Sequence, residues 1–534
     1  MEGKIENKKE AKAEKEKASE KETEKAVEER SEKLKSKVKN WLKSPSNAIL
    51  LGILILALCL RLYYFFLTKD QALWWDGLCY GSLAKNFIYH QWDASLMILK
   101  EANIRPMLFP LIWSLFMRLN FPEIASKFIL EIIPSFFTVL FVYLIAKKLY
   151  NKRIALISSF IFAVSWMHLF YSVRMLTHIP GLLASLASIY CFFKALDSEK
   201  INFKYFSSAV FLLFISALLR WTYGLAGVAF LLFLIITRKS KFVKQKSFWA
   251  GGVLGSIPII IFFAVNLIKY NKLFPAVSVY ASSAATRAAY AFYTLNFIPH
   301  ILQTLLLICF IAGLVILVVQ LVLGIGFISK IKKLNSHIFI LMLLILNLGF
   351  LIFYIKAAED RYLFECLISI IFIIAIAMDY ICVYIEKYSK VLAVLFIIVV
   401  LAFGCYSQLK FGDTMIRDKK ESYFQMKQAF LWAKDNTPEN SIIFGSGIAP
   451  YAIYYSGRNS IDLYYEEGNS IIYPNSTSNE SKDFDYVVFH AFSPQSDPFK
   501  NYLNSIQGNL SVAKQIFFDK QQQNPAVYVF EYNK

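Results

Sequence analysis

The sequence predicts an α-helical polytopic membrane protein of about eleven transmembrane helices, with a small α/β soluble domain at its C-terminal end. Three observations predict it. The composition is 57% hydrophobic and 16% aromatic. Many apolar runs of ~17–25 residues recur, each long enough to cross a ~30 Å hydrocarbon core. From about Phe411 onward the runs stop and the chain turns polar. The net charge of +19 does not point to nucleic acid. Much of it falls in short loops between apolar runs, where membrane topology explains it. The seven cysteines are scattered and show neither metal-ligand spacing nor a disulfide framework.

Residues 1–45 form a Lys/Glu-rich tail, too polar for the core of a signal peptide and too poor in apolar residues to pack. Residues 46–410 carry the apolar runs, at 48–67, 128–146, 154–171, 179–193, 206–219, 222–237, 248–267, 301–328, 337–355, 363–385 and 391–408. A further segment, Pro106–Leu119, is too short to span comfortably. Charge decides its place. If it stays interfacial or re-entrant, the basic loops at Lys147–Arg153, Lys194–Lys204, Arg238–Lys246, Lys330–Lys333 and Lys387–Lys390 all fall on the side of the basic N-terminus. The expected topology is therefore N-terminus cytoplasmic and C-terminus outside. Residues 411–534 read as the outer α/β domain. "ESYFQMKQAFLWAKDNTPEN" has helical character and stops at Asn436-Thr437-Pro438. "SIIFGSG", "DYVVFHAF" and "AVYVFEY" read as strands. Asn475, Asn479 and Asn509 begin glycosylation sequons.

This threading gathers the remaining ionisable residues on one side. Asp76 and Arg105 lie in the first outer loop, Arg174, Thr177 and His178 in the second, Arg220 at the third turn. Lys269, Tyr280, Arg287 and Tyr290 fall in the fourth, and Glu359, Asp360, Arg361 and Tyr362 in the fifth. Such groups at a membrane boundary are costly unless they face a cavity or one another. A carboxylate can deprotonate a hydroxyl or hold a cation, and arginine grips phosphate with a fixed fork. A groove between spans suits a lipid tail, so the set fits transfer of a group from a lipid-phosphate donor.

The quoted motifs carry a family resemblance. They are "WWDGLCY" at 74–80, "IRPMLFPLIW" at 104–113, "RMLTHIP" at 174–180, "LLRWTYG" at 218–224 and "EDRYLFE" at 359–365. In order and spacing the chain resembles the GT-C glycosyltransferases, in particular the group of dolichyl-phosphate-mannose–protein mannosyltransferases and aminoarabinose transferases, over roughly residues 48–410. The resemblance implies a GT-C-like membrane domain and a multi-pass enzyme of the cell membrane. It implies a hexosyl- or pentosyltransferase with a polyprenyl-phosphate sugar donor and a protein, lipid or glycan acceptor. It places the catalytic acid at Asp76. Arg174, Arg361 and Arg105 are the candidates for the donor phosphate. Trp75, Tyr80, Thr177, His178, Arg220, Glu359, Asp360 and Tyr362 would line or support the pocket. The chain departs from many relatives in having Asp76-Gly77 where they have an acidic doublet, and His178 where they have an acid. No cofactor is certain; a divalent metal ion is left open, with Asp76 and His178 as its candidate ligands.

Simpler readings stand beside these. Asp76 also suits a helix N-cap, and Trp74 and Trp75 suit interfacial anchoring. Arg361 could pair with Glu359 or Asp360. Glu131 lies inside a span without an assigned partner. A transporter of lipid-linked or small-molecule substrates is the rival function. The C-terminal domain is expected to tune acceptor choice, through a contact strip at residues 453–462.

Overall fold

The computed structural model describes residues 36, 39–89, 106–271, 273, 292–324, 331–353, 359–466, 469–473, 484–492, 497–519 and 521–533. Arg105, the loop holding Tyr280, Arg287 and Tyr290, and the sequons at Asn475 and Asn479 lie outside them, as does the side chain of Lys269.

Every expected apolar run is helical over its described residues, apart from a break at Ser165 and another near Ser256. In chain order the helices are α1 (Pro45–Leu67), α2 (Trp75–Tyr89), α3 (Leu108–Arg118) and α4 (Glu123–Leu149). The next are α5 (Lys152–Val164), α6 (Trp166–Ser172), α7 (His178–Ala195), α8 (Phe203–Leu219) and α9 (Trp221–Lys241). Then follow α10 (Lys246–Gly255), α11 (Ile257–Ile268), α12 (Tyr293–Leu323), α13 (Lys333–Phe353), α14 (Asp360–Glu386) and α15 (Lys390–Asp418). Among the described residues, eight helices are long and apolar enough to cross a membrane, or up to ten if each bent pair counts as one span. The eleventh expected run is α8, only 17 residues long. At ~1.5 Å per residue it stands at the short limit for a ~30 Å core. α3 is shorter still, 11 residues, as its apolar run suggests.

The two bent pairs have different causes. α10 and α11 meet at 48°, where Pro258 cannot donate a backbone hydrogen bond. α5 and α6 meet at 52° around Ser165, with neither Pro nor Gly at the break. There, side chains take the place of the helical ladder. The Trp166 amide donates to Gln408 Oε1 at 3.2 Å, and the Trp166 indole donates to the Ile301 carbonyl at 3.1 Å. Arg61 supplies the freed Ala163 carbonyl at 3.1 Å. The same guanidinium donates to Ser135 Oγ at 2.7 Å, to the Ala57 carbonyl at 2.9 Å and to His168 Nδ1 at 2.7 Å. Arginine can only donate, so His168 carries its proton on Nε2 and passes it toward Thr138 Oγ1, 3.0 Å away.

α14 is the central helix, with 83% of its most apolar stretch buried. Gly313 of α12 lets the two backbones meet, because a Cβ there would collide with the Ile373 carbonyl. The far end of α14 is tied by Arg153, which pairs with Glu386 at 2.5 Å and Asp379 at 3.5 Å. Its near end opens at Asp360 and carries the residues described below. Apolar side chains on α11, α12 and α15, such as Ile260, Ile311 and Phe403, are exposed as a lipid-facing surface requires.

α15 continues to Asp418, past the 410 boundary drawn from hydropathy. Beyond it stand α16 (Phe424–Asn436) and a six-stranded sheet. The strands are β1 (Ile442–Gly445), β2 (Asn459–Glu466), β3 (Asn469–Tyr473), β4 (Tyr486–His490), β5 (Leu510–Phe517) and β6 (Pro525–Tyr532). Their order is β3-β2-β1-β4-β6-β5, with β1 parallel to β2 and β4 and the other pairs antiparallel. This domain is not a separate globule. Met426, Phe430, Ile443, Tyr451 and Val527 share one buried core with Leu78 and Tyr80 of α2 and with Phe109 and Trp113 of α3. The strip 453–462 is mostly interior: Tyr454 and Tyr455 are buried, and Arg458 is spent on the end of α16 through the Lys434 and Thr437 carbonyls at 2.8 and 2.7 Å.

Arg61→Met should leave the Ala163 carbonyl, Ser135 and His168 without their donor and lower stability by about 2–4 kcal/mol. Arg61→Lys should recover only part of that, since it lacks the fork. Thermal melting in detergent checks this, and a parent-like melt for Arg61→Met would refute it.

Candidate active site

Asp76 is the second residue of α2 and lies in its first turn, not at the N-cap position. Its carboxylate is bonded by Arg361. The two side chains are 19% and 20% exposed, so the pair is shielded yet still reached by solvent. Arg361 also donates to Glu359 Oε1 at 3.0 Å, one of the two partners expected for it. The other, Asp360, accepts instead from the Tyr171 hydroxyl at 2.9 Å.

The cluster continues through Tyr362. Arg361 lies 5.6 Å from the centre of its ring and Arg220 lies 5.3 Å from it. Arg220 ends α8 and donates through Nε to Glu365 Oε1 at 2.9 Å; Thr222 donates to the same oxygen. Burial works against the charge of Arg220, but Glu365 outweighs it and holds the guanidinium pKa above its ordinary value. Arg220 and Glu365 are thus a structural ion pair fixing the start of α14.

Arg174 is 4% exposed and has no carboxylate bonded to it. Its guanidinium is sandwiched 4.1 Å from the Trp74 ring centre and 3.4 Å from that of Phe170, and it donates once, to the Phe170 carbonyl. Nε and Nη2 have no hydrogen-bond partner. Burial pulls its pKa down to about 9, so it is still protonated at neutral pH. It borders a narrow cavity, with room for about one water molecule, lined also by Gln71, Trp74 and Lys127. The Trp74 indole N–H is likewise buried and unpartnered. Lys127 donates to the Thr68 carbonyl at 3.0 Å. The unsatisfied donors of Arg174 and Trp74 beside this narrow space would suit an anion.

The other expected residues are placed around this centre. Thr177 precedes α7 and is buried. His178 is buried, its ring 5.6 Å from that of Tyr171 and 5.5 Å from Phe364, with neither ring nitrogen hydrogen-bonded. Trp75 is part-buried beside the shared core, and Tyr80 packs on Phe109 with ring centres 5.5 Å apart. Glu131 sits in a π-helical turn, Phe128–Ile132, and accepts the Leu176 amide at 2.9 Å. Asp76 and His178 do not make a cation site with a third ligand: among the described residues, no three His, Cys, Asp or Glu side chains group that way. Tyr171, Lys127, Thr222 and Glu365 belong to the neighbourhood without having been singled out. Glu365 closes the quoted "EDRYLFE" motif, and Tyr171 stands three residues before Arg174.

Residues 104–268 match the family model of dolichyl-phosphate-mannose-protein mannosyltransferase. No curated protein matches the chain in sequence. Among solved structures, ArnT from Cupriavidus metallidurans bound to undecaprenyl phosphate is similar with a TM-score of 0.59 at 9% identity, over 90% of this chain and 98% of that one. The Archaeoglobus fulgidus oligosaccharyltransferase tethered with an acceptor peptide gives a TM-score of 0.56 at 13% identity, over 79% of this chain. The archaeal AglB from Archaeoglobus fulgidus, in complex with an inhibitory peptide and a dolichol-phosphate, gives 0.55 at 13% identity over the same share. This chain spans 64% of the length of the oligosaccharyltransferase. At these identities the likeness is one of fold.

Proposed function

From its GT-C membrane glycosyltransferase fold and its mannosyltransferase-family segment, we propose that this chain moves a hexosyl or pentosyl unit from a polyprenyl-phosphate donor to a protein, lipid or glycan acceptor. The observation that carries the proposal is the neighbourhood of two complementary groups. Asp76 is an acid held by Arg361, and Trp74, two residues earlier, stacks on the unsatisfied guanidinium of Arg174.

The chemistry follows from these side chains. The donor phosphate is held by Arg174 with Lys127 nearby, while the lipid tail lies against the apolar helix surfaces. Phosphate oxygens compete for the Arg361 fork and release the Asp76 carboxylate. The acceptor hydroxyl attacks the anomeric carbon, its proton passes to Asp76, and the bond to the phosphate oxygen breaks with its electrons. Polyprenyl phosphate leaves with its charge met by the guanidinium groups. No step is routed through a metal ion. The site is taken to face outward, because the lysine- and arginine-rich loops at Lys147–Arg153 lie at the opposite end of α14, beside Glu386. An epitope inserted after Lys200 should then be cytoplasmic and one at the C-terminus external; finding both on one side would refute this orientation.

Asp76→Asn should reduce transfer to an acceptor by ~10²–10⁴-fold. Asparagine still accepts from Arg361 and Glu359 keeps its share, so stability should fall by no more than about 1–2 kcal/mol. A folded variant transferring sugar at the parent rate would remove Asp76 from the reaction.

Arg174→Met should weaken polyprenyl-phosphate binding by about 1.5–3 kcal/mol for each charge-assisted bond lost. Arg174→Lys should restore the charge but not the fork. Titration of polyprenyl phosphate into the purified variants tests this, and parent affinity in both would reject the assignment.

A further inference from the structure

A second polar cleft, of about 650 Å³, lies away from the cluster around Asp76. It is lined by Lys85 of α2, Trp113 and Met117 of α3, Asn120 and Phe121 of the turn that follows, Glu123 of α4, and Tyr454 of the C-terminal domain. Nothing in the chemistry above uses it.

Its walls are built, not incidental. Trp113 is fully buried, yet its indole N–H has no hydrogen-bond partner. A donor left unsatisfied in a buried position is costly unless something occupies the space before it. Lys85 stands 4.5 Å from the centre of the Tyr454 ring and donates to the Tyr454 carbonyl. Burial, and then Lys434, pull its pKa down to about 8 against the opposing pull of Glu123. Glu123 accepts from the Tyr454 hydroxyl at 2.9 Å and pairs with Lys427 at 3.4 Å. Asn120 holds a positive φ of 58° and is exposed beside the cleft. The lining thus carries one ammonium, one carboxylate, a carboxamide and an indole donor around aromatic faces.

That set selects a class of ligand. The lining carries one charge of each sign, Lys85 and Glu123, with Lys427 paired to Glu123, so it offers no arginine fork and no facing pair of cations to grip a phosphate. The lining offers both donors and acceptors, and aromatic faces give flat apolar walls, which suits a neutral body covered with hydroxyl groups. A peptide held by backbone pairing needs an unpaired strand edge. The lining residues sit on helices, on the turn after α3 and on the π-helical turn Ala452–Ser456. Asp76 precedes Lys85 by nine residues on α2, so it lies ~13 Å away along the axis and half a turn round. A ligand seated in the cleft is held by a part remote from the reacting end.

We propose that this cleft is a saccharide-binding subsite that holds the non-reacting sugar units of a glycan acceptor, with Trp113, Glu123 and Lys85 as its polar contacts. The proposal rests on the reading of the chain as a glycosyltransferase and narrows its acceptor to a glycan.

The test uses the full chain in detergent with no donor present, so that it is independent of catalysis. Saturation-transfer NMR and tryptophan fluorescence are recorded with methyl α-mannopyranoside, methyl α-glucopyranoside, N-acetylglucosamine and a linear mannotriose. At least one of these sugars should bind. Glu123→Gln and Lys85→Met should each weaken that binding by at least about tenfold. Trp113→Phe removes the indole donor and should do the same; the two surface-accessible variants stand in if its packing suffers. No binding by any sugar, or sugar binding unchanged in Glu123→Gln and Lys85→Met, overturns the proposal. So does binding of a serine-rich peptide, in place of sugars, that these variants abolish. Hydrolysis of a polyprenyl-phosphate sugar, measured separately, tells a failure here from a failure of the glycosyltransferase reading.

Discussion

A membrane helix that stops partway leaves carbonyl and amide groups with no water to receive them. The rest of this architecture depends on how that cost is met at Ser165. Arg61 takes the freed Ala163 carbonyl, and Gln408 takes the Trp166 amide. With those bonds in place the chain turns by 52° and α6 departs from the line of α5. That departure carries Phe170, Tyr171 and Arg174 to the start of α14. A straight helix through Ser165 would aim these side chains elsewhere, and the stacked guanidinium between Trp74 and Phe170 could not form. An arginine inside a span is expensive. Here the expense is met by four separate acceptors, and the result is a fixed angle.

The second constraint is electrostatic. Asp76 and Arg361 are 285 residues apart and come from the first and last membrane-edge motifs. Their pairing fixes the orientation of both side chains. In the proposed reaction this pair would be the resting state, because a phosphate offers Arg361 a better-charged bidentate partner. Arg220 and Glu365 behave differently. Glu365 accepts from both Arg220 and Thr222, and that arrangement holds the first turn of α14 in position beneath Tyr362. Two similar ion pairs in one cluster therefore have different roles. One is exposed enough to be exchanged, the other is buried and structural.

Much of this was legible from the residues alone. Ionisable groups at span ends betray themselves, and Asp76, Arg174, Arg220 and Arg361 were found that way. The eleven apolar runs are helical over their described residues, and hydropathy missed the bend at Ser165 and the continuation of α15 to Asp418. Arg61 was not legible. In "LCLRLYY" it resembles a basic residue snorkelling from a span end, and its partner His168 is 107 residues distant. No periodicity links the two. Glu365 closes the quoted "EDRYLFE" motif without a role of its own in the sequence, and only its burial beside Arg220 reveals one. Strands β2, β3 and β5 escaped because their side chains alternate irregularly with Ser, Asn, Lys and Gln, and β5 carries a register shift. The strip at 453–462 was read as an outward contact surface. Its tyrosines face inward because α2 and α3 offer them apolar cover.

That inward packing decides how the soluble domain relates to the membrane chemistry. Gly81 of α2 has no side chain because the Tyr454 ring and Trp113 occupy the space a Cβ would need. Gly77, one turn earlier, brings α2 close to the Met175 carbonyl, 3.0 Å from where its Cβ would stand. The helix is therefore wedged between the loop that carries Arg174 and the domain that carries Tyr454. A short helix gripped on both sides moves as a rigid body, and it holds Asp76 at one end and Lys85 nearer the other. Displacing the C-terminal domain would strip cover from Leu78, Tyr80 and Trp113 and shift the acid as well. The domain is thus not an accessory tethered to a finished helical bundle. It is the wall against which α2 is set, and the distance between the Asp76 carboxylate and the second cleft is fixed by the helix they share.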